Sequence, residues 1–359
     1  MSLRSLKFTE GSWVLNETHF SDLNLLVGLS GVGKTRVLRA IEILRDIGLG
    51  RELHLDNISW EIVFNIDDHI YKWTGVRNAS WIFLEEYISI DDKLVIERDH
   101  NKQIFYFNNK SLPKLKWTES SVTLLSGEDE IMQLQNTLHS IISEPIFSPL
   151  LWLVNTNTKL NPEANSLDEL QSNHKSSLIE KGFALQNIFH SHFEEIKQSF
   201  IEIFPFVNDL RIEEISSPHK PEPMLTILIK DKANKNKWID GFSISSGMLR
   251  TLKLLLELAL APKGTIFLID EFENSLGINC LPQVADMIED RQGEIQFILT
   301  SHHPYVINNI PWSSWKVVTR QGNTVTVRDA HTIRALQTSS SLERFLLLIN
   351  APEYEDGIS

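Results

Sequence analysis

The N-terminal part of the chain contains two short apolar segments and one helical pattern. The segments "LRSLKF" and "LNLLVG" are typical of strands, and the second leads directly into a glycine-rich stretch. Apolar residues at helical spacing follow in "KTRVLRAIEILRDIG", and Gly48 marks the predicted end of that helix. The pattern predicts a strand, a tight loop and an amphipathic helix in succession.

The middle of the chain changes character twice. Between about 55 and 118, short segments rich in β-branched and aromatic residues alternate with the turn-like "DD", "GVRN", "DHNK" and "NNK", which predicts an antiparallel meander. From about 127 to 204 the pattern is mostly helical, and strands are predicted near 207–215 and 224–230. A β lobe followed by a helical insertion is therefore expected.

From 242 onward, helical patterns alternate with buried strands. "SGMLRTLKLLLELAL" and "PQVADMIEDR" are predicted helices, whereas "TIFLID" and "IQFILTS" are continuous apolar runs of the kind found in parallel sheets. "WKVVTR" and "TVTVRD" are predicted to form a hairpin around "QGN", followed by a last short helix at "SLERFLLLIN". This alternation predicts an α/β fold with a mostly parallel sheet.

Composition narrows the class of protein. The chain has 359 residues, of which 42% are hydrophobic and 23% charged, as in globular proteins with a normal core. Its net charge of −13 argues against a basic surface that binds nucleic-acid phosphates non-specifically, although an acidic protein can carry a local basic patch. The chain has no N-terminal apolar signal core, no apolar run of the ~20 residues needed to span a bilayer, and a single cysteine, Cys280. We therefore expect a cytoplasmic protein without disulfides or membrane association.

The stretch "GLSGVGKT", residues 28–35, has the G-x-x-x-x-G-K-[ST] pattern of a phosphate cradle. Its glycines let backbone amides turn toward phosphate oxygens, Lys34 reaches the β- and γ-phosphates, and Thr35 offers a hydroxyl to Mg²⁺. The helix that follows presents its positive end to the same phosphates. The predicted nucleotide-binding residues of this stretch are Gly28, Ser30, Gly31, Gly33, Lys34, Thr35 and Arg36.

Two later strand ends carry residues suited to NTP hydrolysis. In "IFLIDEFENSL" an apolar strand ends in Asp270 and Glu271; one carboxylate suits a metal ion and the next suits activation of the attacking water. A solvated acidic strand end is the alternative interpretation.

In "ILTSHHP" a strand ends in His302 and His303, and neighbours on a strand point to opposite faces, which argues against a two-histidine metal site.

A fourth motif, "FSISSGMLR", places Ser245, Ser246 and Gly247 before a long apolar helix. Serine is an ordinary N-cap at such a position, but free amides at a helix start also bind anions. The first helix already serves the phosphate cradle. A second anion site would therefore suit a phosphate held by another subunit.

In chain order, these motifs resemble the Walker A loop, signature motif, Walker B with D-loop, and switch histidine of ABC-type ATPase heads. The long insertion before the signature, the lack of a heptad array, and "DEFEN" and "TSHHP" resemble the OLD-like and RecF-like, SMC-related AAA ATPases of bacteria. The resemblance implies an ATPase core with Walker A at 1–54, an antiparallel β lobe at 55–125, a helical insertion with returning strands at 126–235, and the second core part at 236–359.

The resemblance also implies ATP and Mg²⁺ as cofactors and a homodimer that encloses two nucleotides. In that dimer, Ser245 and Gly247 would contact the γ-phosphate on the opposite protomer, with Ser246 beside them. Ser275, in the D-loop "ENSLG", would cross the dimer interface.

Within each protomer, the resemblance assigns Mg²⁺ to Thr35 and Asp270, the role of catalytic base to Glu271, and sensing of the γ-phosphate to His302. His303 receives no role. The signature departs from the family pattern, since "SISSGM" lacks the usual second glycine. Candidates for the Q-loop glutamine are Gln103, Gln133 and Gln135, and candidates for the adenine contact are Trp13 and Phe20.

Many of the OLD-like and RecF-like ATPases that these motifs resemble act in anti-phage defence or DNA repair, often with a nuclease. The short segment after the core, where OLD nucleases carry a nuclease domain, suggests that a nuclease or toxin effector is a separate polypeptide. Two alternatives stay open: an ATP-bound scaffold that hydrolyses slowly and cages its effector, and the ATPase subunit of a transporter. The basic segments 109–117 and 230–237 are either solvated turns or part of a DNA-facing groove.

Overall fold

The structure is a computed structural model that describes residues 1–113, 115–143, 164–173, 176–215, 224–233, 237–241, 243–274, 276 and 280–336. The chain divides into two compact units. We call the first the P-loop unit (Met1–Glu144, Gly264–Phe272 and Arg291–Ser359) and the second the helical unit (Pro145–Lys263 and Glu273–Asp290). The helix predicted at "SLERFLLLIN" lies outside the described residues.

The strands of both units are numbered in chain order. They are β1 (Ser2–Glu10), β2 (Trp13–His19), β3 (Leu23–Val27), β4 (Ile58–Ile66), β5 (His69–Arg77), β6 (Phe83–Ile90), β7 (Lys93–Asp99), β8 (Ile104–Phe107), β9 (Lys110–Ser111), β10 (Ile141–Ser143), β11 (Val207–Ile215), β12 (Met224–Asp231), β13 (Trp238–Asp240), β14 (Ile266–Ile269), β15 (Gln296–Thr300), β16 (Trp315–Gln321) and β17 (Thr324–Asp329).

The α-helices are numbered in the same way. They are α1 (Lys34–Gly48), α2 (Ser121–Leu124), α3 (Asp129–His139), α4 (Leu167–Ser172), α5 (Leu178–Ile188), α6 (His190–Ile203), α7 (Ser246–Leu260), α8 (Leu281–Asp290) and α9 (Pro304–Asn309). Within the described part of the chain, no helix is long and apolar enough to cross a lipid bilayer.

Fourteen described strands of the P-loop unit form one sheet, in the order β10-β14-β15-β3-β16-β17-β2-β1-β4-β5-β6-β7-β8-β9. The first five pair in parallel, and every residue of β3, β14 and β15 is buried, as expected for strands covered on both faces. From β2 to β9 all pairs are antiparallel, and β4 alternates buried and half-buried residues. The predicted α/β class is confirmed, and the antiparallel meander continues the same sheet.

The turns of the meander follow from the sequence. Three hairpins each hold two consecutive non-glycine residues with positive φ, namely Asp67 and Asp68, Asp91 and Asp92, and Asn108 and Asn109. Positive φ at both central positions is the turn geometry that matches the twist of the flanking strands, and Asp and Asn tolerate it. The "DD" and "NN" dipeptides therefore set the register of the lobe.

The lobe has a buried ion pair in its core. Arg98 and Glu86 are fully buried, and an Arg98 nitrogen lies 2.9 Å from Glu86 Oε2. Glu86 also accepts hydrogen bonds from Trp73, Ser120 and Ser121. These partners offset the cost of removing the carboxylate from water, so the pair ties β6 and β7 to the start of α2.

Helix α1 covers the parallel part of the sheet. The residues that predicted it, Val37, Ile41, Leu44 and Ile47, are all buried in the main core of the P-loop unit. The helix ends at Gly48 as predicted, and the left-handed residue that follows is Gly50, with φ of 72°. Gly50 donates its amide proton to the carbonyl of Ile47, which closes the last turn.

The helical unit has its own sheet and core. Its described strands form the antiparallel sheet β11-β12-β13, and α4, α5, α6 and α7 contribute apolar residues to one cluster with that sheet. The strands predicted near 207–215 and 224–230 and the long helix before residue 260 are confirmed. Helix α8 confirms the prediction made for "PQVADMIEDR".

Candidate functional site

The glycine-rich loop lies at the carboxyl end of a central parallel strand. Strand β3 pairs in parallel with β15 on one side and β16 on the other, and it ends at Val27. Helix α1 begins at Lys34, so residues 28–33 form the connection. Ligands of open parallel sheets bind at this edge, where the helix also directs its free amides.

The loop requires glycine at two positions for different steric reasons. A Cβ on Gly28 would lie 2.5 Å from the carbonyl oxygen of Val318 in β16. Gly33 has φ of 107°, and a Cβ there would lie 3.1 Å from a methyl group of Val325 in β17. Gly31 has φ of 82°, and a Cβ on it would meet nothing within 4 Å. The loop therefore packs tightly on the β16–β17 hairpin at both ends and is open at its middle.

Lys34 lies inside this loop. Its ammonium donates to the carbonyl oxygens of Gly28 and Leu29, both at 2.8 Å, and the residue is only 5% exposed. These two bonds hold the positive charge against the first turn of the loop. A buried ammonium with carbonyl partners is placed to exchange them for the oxygens of an anion.

The carboxylate predicted to bind a metal lies beside the loop. Asp270 follows β14, is 8% exposed, and its Oδ1 accepts a hydrogen bond from the Thr35 hydroxyl at 3.1 Å. A hydroxyl and a carboxylate are hard oxygen donors that fit Mg²⁺, which is usually bound by one or two protein ligands together with phosphates and water. Within the described ranges, no group of three or more His, Cys, Asp or Glu side chains is placed to hold a metal ion.

Glu271 has an uncommon backbone conformation. Its φ is 45°, in the left-handed region that a side chain disfavours. Its amide donates to the hydroxyl of Thr300 at 2.7 Å, and that hydroxyl also lies 2.5 Å from Oδ1 of Asp270. Thr300 was not among the predicted site residues, because a threonine at the end of a buried strand resembles any β-branched strand residue.

The two histidines of "TSHHP" lie in different environments. Nδ1 of His303 accepts a hydrogen bond from the amide of Tyr305 at 3.2 Å, so His303 caps α9, with Pro304 at its first turn. The amide of His303 donates to the Ser301 hydroxyl at 3.0 Å. His302, which lies between Ser301 and His303 in the chain, is exposed. His302 is therefore the histidine that faces solvent, and His303 stabilises local structure.

The signature residues lie at the start of α7. The Ser245 hydroxyl accepts from the amide of Met248 at 3.3 Å, and both Ser245 and Ser246 are exposed. The carbonyl of Gly247 accepts a hydrogen bond from Thr251 inside the helix. These residues belong to the helical unit, whereas Lys34 and Asp270 belong to the P-loop unit. Ser275 lies outside the described residues.

Two arginines lie close to the loop. The guanidinium of Arg36 lies 4.5 Å from the centroid of the Trp13 ring, a distance at which a cation–π contact is favourable. Arg320, at the end of β16, donates to the carbonyl oxygen of Gly31 at 3.5 Å. No sequence pattern marked Arg320. Phe20 is buried in the main core of the P-loop unit.

The class of protein follows from this arrangement. A glycine-rich loop after a parallel strand, with its threonine bonded to the carboxylate of a second strand, is the layout of P-loop ATPases. The fold is that of SMC-type ABC-ATPase heads.

The chain is similar to an Smc head bound to the C-winged helix domain of ScpA, with a TM-score of 0.56, 14% identity, and coverage of 91% of this chain and 98% of that one. It is also similar to an Smc head domain with an extended coiled coil, bound to the C-terminal domain of ScpA, from Pyrococcus furiosus, with a TM-score of 0.55, 14% identity, and coverage of 97% and 98%.

The chain belongs to the AAA family described as "AAA domain, putative AbiEii toxin, Type IV TA system", which matches residues 23–308. The resemblance to SMC-related AAA ATPases, inferred from four short motifs, is thereby confirmed. No curated protein matched the chain. Membership implies nucleotide binding, and the oxygen donors described above fit the Mg²⁺ that accompanies it.

Proposed function

We propose that this protein is an ATP-dependent switch: two copies enclose two ATP–Mg²⁺, hydrolysis reopens the pair, and the nucleotide state controls a separate effector protein. The observation that supports this most strongly is the hydrogen bond between Thr35 and Asp270. It brings the phosphate cradle and a metal-binding carboxylate into one site. Transfer of a phosphoryl group to water requires a phosphate cradle, a metal-binding group and a group that activates the water.

Each predicted residue has a role in this proposal. Lys34 and the loop amides neutralise the phosphates, and Thr35 with Asp270 holds Mg²⁺, which supplies charge neutralisation for the leaving group. Glu271 activates the attacking water, and the exposed His302 responds to the γ-phosphate.

The second copy completes the site. Ser245 and Ser246 are exposed residues at the start of α7, a helix of 15 residues whose positive end lies at these two serines. In the proposed dimer these groups, with Gly247, contact the γ-phosphate of ATP bound to the partner, and Ser275 lies at the interface. Because each nucleotide would be shared, ATP binding favours the closed pair and hydrolysis releases it.

The effector is proposed from the comparisons. The family description names a toxin and a type IV toxin–antitoxin system, and the two Smc heads were solved bound to domains of another protein. We propose that the nucleotide switch acts in the cytoplasm, on a toxin or nuclease in anti-phage defence or DNA metabolism.

The experiment that tests the nucleotide site is ATP binding by Lys34→Ala. Loss of the buried ammonium should abolish measurable binding in calorimetry, because the phosphates lose their principal cation. Arg39→Ala is the matched control, since Arg39 is exposed on the same helix and pairs with Glu42. Binding by Lys34→Ala equal to that of the control would rule out the cradle.

The proposed switch is tested by measuring the molar mass of the Glu271→Gln variant in solution. With ATP and Mg²⁺ this variant should accumulate as a dimer by light scattering and return to monomer when the nucleotide is removed. An unchanged monomer mass at saturating ATP would rule out the enclosed pair. A wild-type protein that stays dimeric for hours without phosphate release would instead support a scaffold that cages its effector.

A further inference from the structure

Thr300 is bonded to three consecutive residues of the candidate site. It is the last residue of β15 and is 1% exposed. Its hydroxyl lies 2.5 Å from Oδ1 of Asp270 and 2.7 Å from the amide nitrogen of Glu271. Its carbonyl oxygen accepts the amide proton of Phe272 at 2.9 Å. One residue therefore contacts each position of the chain from Asp270 to Phe272.

The direction of each hydrogen bond follows from the groups involved. The amide of Glu271 can only donate, so the Thr300 oxygen accepts from it. The single hydroxyl proton is then directed to Asp270, which accepts as a carboxylate. Oδ1 of Asp270 also accepts from Thr35 at 3.1 Å. Two hydroxyls, one from the first turn of α1 and one from the end of β15, thus orient one carboxylate oxygen.

The backbone of Glu271 depends on the same contacts. A non-glycine residue at φ of 45° persists only where its surroundings fix it. The hydroxyl of Thr300 binds the amide of Glu271, and the carbonyl of Thr300 binds the next amide along the chain. The two bonds bracket the left-handed residue. They hold the backbone position from which its side chain projects.

We infer that Thr300 is a positioning residue of the proposed ATPase. Its hydroxyl orients Asp270 for Mg²⁺ and holds the backbone of Glu271 in the conformation from which its carboxylate activates the attacking water. This inference rests on the proposed function. Thr300 also lies two positions before His302 in the chain.

The hydroxyl can be removed with little change in volume. Thr300→Val keeps the β-branched shape of the strand end but loses the donor and the acceptor, whereas Thr300→Ser keeps the hydroxyl. Thr137→Val is the matched control, because Thr137 is equally buried in the same unit and its hydroxyl bonds the nearby carbonyl of Gln133. Thr300→Ala gives a second hydroxyl-free variant if the valine variant does not fold.

The test measures the affinity of a fluorescent ATP analogue with and without Mg²⁺. Without Mg²⁺, Thr300→Val should bind within about twofold of wild type, whereas the gain in affinity on adding Mg²⁺ should fall about tenfold, the usual effect of losing a hydrogen bond to a charged group. The Mg²⁺ concentration that half-saturates phosphate release should rise by a similar factor. Thr300→Ser should restore both values, and Thr137→Val should leave both unchanged.

The outcomes separate the two proposals. If wild type responds to Mg²⁺ and Thr300→Val responds in the same way, the positioning role is wrong and the ATPase proposal stands. If both hydroxyl-free variants lose the response and serine restores it, the positioning role is supported, since a purely structural role would not change metal dependence selectively. If wild type itself binds the analogue without any effect of Mg²⁺, the proposed function fails, and the role of Thr300 fails with it.

Discussion

The hydroxyl of Thr35 lies 3.1 Å from Oδ1 of Asp270, although 235 positions separate the two residues in the chain. The order β14-β15-β3 explains the contact, because the carboxyl ends of these parallel strands meet at one edge of the sheet. Thr35 enters that edge through the loop after β3, and Asp270 directly follows β14. The two motifs therefore form one site through the topology of the sheet.

Gly28→Ala should weaken both the fold and nucleotide binding. The new Cβ would lie 2.5 Å from the backbone oxygen of Val318, which has no rotamer through which to move away. Overpacking of this kind costs about 1–3 kcal/mol. Thermal melting and ATP calorimetry should both show the loss.

Gly31→Ala is the control for the stability loss alone, because Gly31 is itself a predicted nucleotide-binding residue. Gly31 also has positive φ, but a Cβ there meets nothing within 4 Å, so only the backbone strain of about 1 kcal/mol remains. Equal melting temperatures and ATP affinities for Gly28→Ala and wild type would show that the loop does not pack on β16 as described.

His302 and His303 should respond oppositely to replacement by alanine. His303→Ala removes the cap of α9 and should lower the free energy of unfolding by about 1 kcal/mol. His302→Ala changes an exposed side chain and should alter that free energy by less than about 0.5 kcal/mol. Its effect should instead be on phosphate release, by about a hundredfold, as for loss of one transition-state donor. The reverse pattern would transfer the sensing role to His303.

Lys181 provides a pH-dependent prediction in the helical unit. Burial lowers the pKa of its ammonium from 10.5 to about 8, and its Nζ donates to the carbonyl of Gln171. Between these pKa values the unfolded chain binds more protons than the folded one, so Lys181 makes the protein more stable as pH rises through this window.

Replacement by Lys181→Met isolates that effect. The melting temperature of wild type, relative to the variant, should increase between pH 7.5 and 9.5. Below pH 8 the variant should be the more stable protein, because it buries no charge. A difference in melting temperature that stays constant over this range would show that the ammonium is not desolvated.

Local patterns were sufficient for much of the fold. The strand, loop and helix from Leu23 to Gly48 depend on residues close in sequence. The helix was predicted with both ends correct, and the strand ends one residue before the predicted Gly28. Strand β10 has only three residues and was not distinguished from the helical pattern around it. The single continuous sheet could not be predicted, since it depends on two residue pairs, Thr324 with Val14 and Val325 with Leu15. Such long-range pairs leave no local signal.

The candidate site shows the same division. Lys34 and Thr35 were predicted from the spacing of one local motif, and Asp270 from a carboxylate at the end of an apolar strand. Thr300 and Arg320 contact the loop or its carboxylate only through tertiary structure. A threonine or an arginine at a strand end is too common to mark a site. The function of such residues becomes visible only when the strand order is known.

The central claim is that this site hydrolyses ATP, and the most direct measurement is the initial rate of phosphate release at saturating ATP and Mg²⁺. Wild type should release phosphate steadily, Lys34→Ala should release none above background, and Glu271→Gln should release it at least about a hundredfold more slowly, of the order expected for loss of a general base. Glu271→Gln should still bind ATP. Release by Glu271→Gln at the wild-type rate would show that Glu271 is not the catalytic base, and no release by a wild-type protein with ATP bound would show that the site does not hydrolyse ATP.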